Sequence, residues 1–159
     1  MNAYNDFLQN QNGEGPEEIY KFAFYDVTGD GIAELHAISD HHSIYTYSGG
    51  EVVELYTSGA NFQNADIVLL ENKALFVSFF SLGTRYYTYT TFTDSVVSSI
   101  HFWYDVDESF FDDDCPSEKE FEYSVSHSFD EKSVSKAEWE LLTKDILALK
   151  KANIEWQRK

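Results

Sequence analysis

Between Asp26 and Glu34 the chain sets three carboxylates and a hydroxyl within nine residues. Counting Asp26 as position one of a metal loop puts Thr28 at position three and Asp30 at position five. Gly31 takes position six, where a sharp turn needs backbone freedom. Ile32 offers its carbonyl at position seven and Glu34 a carboxylate at position nine. Calcium takes about six to eight oxygen ligands, and this set with water supplies that many. Carboxylates this close repel one another unless a cation balances them, which points to an ion. The expected ligands are Asp26, Thr28, Asp30, the Ile32 carbonyl and Glu34, and the expected ion is Ca2+. The competing reading is a hydrogen-bonded turn without an ion.

Other residues with chemical capacity form weaker patterns. His41 and His42 are adjacent, so on a strand they point to opposite faces, and a solvated loop pair is expected. His36, His101 and His127 lack metal-ligand spacing. Asp105, Asp107 and Glu108 are candidates for a second cation site, while Asp112, Asp113 and Asp114 read as a solvated charge run. Those three aspartates are expected to raise the pKa of the neighbouring Cys115 thiol, which works against nucleophilic use. There is no nucleophile elbow, no HExxH and no phosphate-binding glycine loop, so no catalytic residue is expected. Tyr86, Tyr87, Tyr89, Phe92, Phe102, Trp103 and Tyr104 cannot all face inward on alternating strands. Some of them are candidates for a sugar- or protein-binding platform.

These groups need elements to hold them. Tyr4, Phe7 and Leu8 recur at helical spacing, so residues 1–18 are expected to hold a short helix and a linker. Residues 19–126 read as an antiparallel sheet region. Ser48-Gly49-Gly50 and Glu71-Asn72-Lys73 are its hairpin turns, and a last strand is expected over 120–126. Ser135-Lys136-Ala137-Glu138 fits a capping box. It opens a helix over 135–151 with Trp139, Leu142, Ile146 and Leu149 on one stripe. The result is an α+β fold. It is mainly an antiparallel β-meander of roughly seven to nine strands, with a short N-terminal helix and a C-terminal amphipathic helix.

At 159 residues the chain is expected to be one domain. Aromatics make up 17% of it, which marks a folded chain despite a net charge of −17. That charge lies in residues 1–118, which hold 3 basic and 20 acidic residues. Residues 119–159 are balanced, with 8 of each. Such a field repels nucleic acid and anionic membrane surfaces and attracts cations and basic protein surfaces. The single cysteine rules out a disulfide within the chain. No basic start or apolar run marks Met1–Asp6 as an export signal, and no stretch is apolar enough to insert in a membrane.

The stretch Phe24-Tyr25-Asp26-Val27-Thr28-Gly29-Asp30-Gly31-Ile32-Ala33-Glu34-Leu35 resembles the DxDGDGxxEL line of FG-GAP/VCBS-like calcium motifs. The opening Ala3–Leu8, the run Ile44–Leu55 and the helix start Ser135–Trp139 resemble the layout of a domain in Firmicutes surface lipoproteins. The likeness is specific over residues 22–57. Thr28 departs from the usual Asp or Asn, and Glu34 from the Asp of the integrin form. Position twelve is Ala37 rather than the glutamate of an EF-hand, so the ligands end at Glu34.

The resemblance implies a non-catalytic, calcium-stabilised binding or structural module. It would belong to an extracellular or cell-surface bacterial protein, with an unknown protein or carbohydrate ligand. The alternative is a small acidic cytoplasmic inhibitor, for example a phage-encoded nucleic-acid mimic that blocks a basic DNA-binding or defence protein.

Overall fold

Two glycines close the hairpin between β3 (His42–Ser48) and β4 (Glu51–Thr57). Gly49 and Gly50 both take positive φ, 62° and 94°, as a two-residue turn matching strand twist requires, and Ser48 pairs with Glu51 across them. This computed structural model describes residues 2–10, 18–58, 65–93, 96–107 and 117–159. Before this hairpin come helix α1 (Asn2–Asn10) and strands β1 (Lys21–Tyr25) and β2 (Glu34–Ile38). After it follow β5 (Asp66–Leu69), β6 (Leu75–Ser81), β7 (Thr84–Thr93) and β8 (Val96–Val106). A 3-10 helix (Ser117–Tyr123) leads to β9 (Ser124–Phe129) and β10 (Lys132–Ser133). Helix α2 (Lys136–Leu147) and β11 (Gln157–Arg158) end the chain.

The fold is α+β and mainly antiparallel β, as the strand patterns imply. Its sheets have the orders β11-β1-β2-β3-β4 and β10-β9-β8-β7-β6-β5. Consecutive strands are neighbours in both, apart from β11, which returns to pair with β1. The chain divides into two compact units. The first comprises Met1–Gln63, Thr91–Val97 and Ala152–Lys159, and the second Asn64–Thr90 and Ser98–Lys151. Each therefore has its own core.

In the first unit α1 lays Tyr4 and Leu8 onto Leu35 and Ala37, with Ile19 beside them. Phe7 meets the Tyr45 ring at 4.7 Å and Tyr4 meets Phe24 at 5.7 Å. In the second unit Phe102, Tyr104 and Val106 of β8 meet Trp139 of α2. Ser135 caps α2, its hydroxyl accepting from the Glu138 amide at 3.3 Å. Replacing Ser135 with Ala should cost about 1 kcal/mol, read as a lower urea midpoint at unchanged slope.

Two expected elements differ. Residues 117–123 wind as a 3-10 helix rather than starting a strand at 120. That turn lets Glu120 reach Arg85 through two parallel bonds of 2.7 and 3.0 Å while Phe121 packs on Trp139 at 4.9 Å. The helix also ends at Leu147, short of 151, and buries Trp139 and Thr143. Leu142 is 41% exposed, so the inward line runs through Trp139, Thr143 and Ile146 instead of the expected leucines. Lys150 and Lys151 lie beyond the helix. The Lys150 carbonyl accepts from the Glu71 amide, and Lys151 bridges to Leu70.

Candidate functional site

The loop between β1 and β2 is a turn built on its own carboxylates. Gly29 and Gly31 both have φ of 87°, a conformation that side chains resist. A Cβ at Gly31 would meet nothing within 4 Å, so backbone geometry, not space, demands that glycine. The turn aims successive N–H groups at acids. The Asp26 carboxylate accepts from the Gly29 amide at 2.6 Å and the Gly31 amide at 3.1 Å. Asp30 accepts from the Ile32 amide at 2.7 Å. Glu34 accepts from the Val27 amide at 2.9 Å and from the Thr28 hydroxyl at 3.3 Å.

These residues fit calcium in donor chemistry. All are hard oxygen donors, and a carboxylate oxygen holding one N–H keeps a second lone pair. They do not converge: among the described residues no three His, Cys, Asp or Glu side chains stand together as a metal site. Asp26 and Asp30 lie in the solvent-facing turn, whereas Glu34 is 0% exposed at the start of β2. Burial pushes the Glu34 carboxyl above its usual pKa, against the opposing pull of its hydrogen bonds. No Lys, Arg or His pairs with it among the described residues. Burial without a counter-charge favours a proton or a cation on Glu34, while its bonds from the Val27 amide and Thr28 hydroxyl favour the ionised form.

Compared with known protein families, with curated proteins and with solved structures, the chain matches none.

Sequence reasoning misplaced one histidine. His42 is not solvated. It is 1% exposed and faces His36, itself 0% exposed, with 3.2 Å between His42 Nε2 and His36 Nδ1. His36 Nε2 lies 3.2 Å from the Tyr25 carbonyl. A carbonyl only accepts, so His36 carries its hydrogen on Nε2 and presents a bare Nδ1, to which His42 Nε2–H donates. The relay ends at His42 Nδ1, which is buried without a partner. Desolvation lowers both pKa values, to about 4 for His36 and about 3 for His42. The signal was six-residue spacing across a hairpin: Ile38 pairs with His42 and Ala37 with Ser43, which sets His36 and His42 on one face.

The other candidates disperse. Asp105 accepts from Thr84 at 2.6 Å and from Ser126, so its oxygens serve the sheet. Glu108, Asp112, Asp113, Asp114 and Cys115 lie outside the described residues. The seven aromatics form no single platform. Tyr87, Tyr89, Phe102 and Tyr104 join the Trp139 cluster, Phe92 is buried against Tyr56, and Tyr86 stacks on Phe79. Tyr87, Tyr104, Phe121 and Trp139 do wall a 440 Å³ cavity whose mouth holds Lys144 and Leu147. No described helix is long and apolar enough to cross a membrane.

Proposed function

We propose that this chain is a non-catalytic binding module of a bacterial cell-surface protein, with its first hairpin stabilised by calcium at Asp26, Thr28, Asp30, the Ile32 carbonyl and Glu34. The observation that carries the reading is Glu34, a fully buried carboxylate with no cationic side chain to balance it among the described residues. The surface location comes with the resemblance over residues 22–57. Calcium would supply the missing positive charge and draw Asp26 and Asp30 towards Glu34. This chain's own residues set the turn, hold Glu34 on the Val27 amide and leave carboxylate lone pairs for the ion.

A thermal melt in excess calcium and in chelator tests this. At a free ion concentration about a hundred times Kd, binding adds about 2.7 kcal/mol. That raises Tm by roughly 5–10 °C in a chain of this size. Glu34→Gln keeps an acceptor for the Val27 amide and removes the buried charge. In chelator it should melt at or above the wild-type temperature, and its calcium response should be lost. An unchanged wild-type Tm on adding calcium sinks the proposal.

A further inference from the structure

The face of the first sheet that α1 covers changes character along its length. One row across the strands reads Phe24, Leu35, Tyr45 and Glu54, and the next reads Phe22, Ala37, Ser43 and Thr57. Phe22, Phe24, Leu35, Ala37 and Tyr45 belong to the apolar cluster under α1. Ser43 is only 8% exposed, yet it spends its hydroxyl on Thr57 at 2.6 Å rather than on packing. A buried serine breaks the apolar pattern of this face, next to Thr57 and Glu54, which are exposed on the edge strand β4, and such a break is expected at a functional site. Here the break encloses a cavity of about 230 Å³, lined by Ile19, Ala37, Ser39, His41, Ser43, Tyr45, Glu54 and Thr57.

The wall chemistry selects a ligand. His41 Nδ1 lies 3.2 Å from the Ser58 carbonyl, so Nδ1 carries the hydrogen and Nε2 is an acceptor. Glu54 adds a carboxylate that no ion pair engages among the described residues. Neither Lys nor Arg lines the cavity, so nothing there holds an anion. The first unit holds 12 acidic side chains against 3 bases, Lys21, Arg158 and Lys159, and the Lys21 Nζ sits over the Trp156 ring at 4.8 Å. The wall hydroxyls both donate and accept, and Glu54 is the wall's one formal charge, so the lining suits an occupant with hydroxyl groups and a positive charge. Ile19 and Ala37 supply an apolar floor for C–H groups. The volume lies below the roughly 300–1,000 Å³ of drug-sized sites, which suits a single small ring.

We propose that this cavity binds a small hydroxylated amine, of the size of a monosaccharide with a free ammonium group held by Glu54. The proposal goes beyond the calcium reading and stands without it, because no cavity-lining residue belongs to the 26–34 loop.

The test is an NMR titration of the full chain at low salt with glucosamine, and in parallel with N-acetylglucosamine, which keeps the ring and loses the charge. Glucosamine should saturably shift the Ala37, Ser43 and Thr57 amides, and N-acetylglucosamine should bind at least tenfold more weakly. Glu54→Gln should remove that preference. Glu51→Gln, an exposed neutralisation on the same strand, should leave it intact. No saturable shift, equal binding of the two sugars, or an equal loss in Glu51→Gln would overturn the proposal; the last would mean that diffuse charge alone is sensed.

Discussion

Acid should unfold this protein early, with one buried histidine pair alone removing about 3 kcal/mol per pH unit as pH drops from about 6.5 towards 4. The cause is the His36–His42 relay. In the unfolded chain each imidazole takes a proton near the model value of 6.5, whereas burial delays this to about 4 and about 3 in the fold. Protons therefore favour the unfolded state throughout that window, and the stability present above 6.5 is lost below it. The relay's two protons set most of that slope, and His127, its pKa also lowered chiefly by burial, adds to it in the same direction. Glu34 works the other way: its raised pKa lets the folded state protonate first, which offsets part of one proton's worth as pH falls towards 4.5. A domain with roughly 5–15 kcal/mol of stability is exhausted within a few units.

The variant His42→Phe isolates the effect. An aromatic ring still meets Trp156, which stands edge-on at 6.1 Å from the His42 ring. The relay then ends at His36 Nδ1 instead of His42 Nδ1, so the number of buried acceptors without a donor stays the same. Stability at pH 8 should change little, and the relay's share of the acid slope should halve, leaving the contributions of His127 and Glu34. Urea midpoints by circular dichroism from pH 8 to pH 4 measure both. An unchanged slope in the variant would remove the histidines as the cause.

Much of the architecture was legible because local chemistry agrees with it. Gly49-Gly50 dictates its own turn, Ser135 and Glu138 start α2, and Tyr4 and Leu8 recur at the spacing of a buried helix face. What escaped depends on pairing between distant segments. Nothing near Gln157–Arg158 marks a strand, because that edge forms only where Lys21 and Phe22 accept it. His42 looked like loop because its neighbour His41 is polar too. Its burial follows from the register with β2, which no local pattern encodes. Residues 26–34 were readable as a tight acidic turn, since two glycines and regularly spaced acids carry that information. The burial of Glu34 was not, because it depends on the strand that begins there.

Strand parity makes the second large prediction, since it separates the core of the second unit from its solvent side within two residues. Phe102 is 1% exposed, with the rings of Tyr87 at 5.0 Å and of Phe129 and Trp139 at 5.9 Å. Aromatic neighbours at these distances add to the burial of the ring itself. They cannot collapse into its space, because each is held by its own backbone register: Phe129 pairs with Phe102, and Trp139 sits on α2. Phe102→Ala should therefore leave a cavity and cost about 3–5 kcal/mol, a loss of roughly 6–20 °C in Tm. His101, one residue back, points to the opposite face, is exposed, and shares one 3.2 Å hydrogen bond with Thr88. His101→Ala should shift stability by less than about 0.5 kcal/mol. Chemical denaturation of both variants decides the matter, because the comparison is between faces of one strand. Equal losses would mean that β8 does not alternate between a core face and a solvent face, and the Trp139 cluster would lose its claim to be the core of that unit.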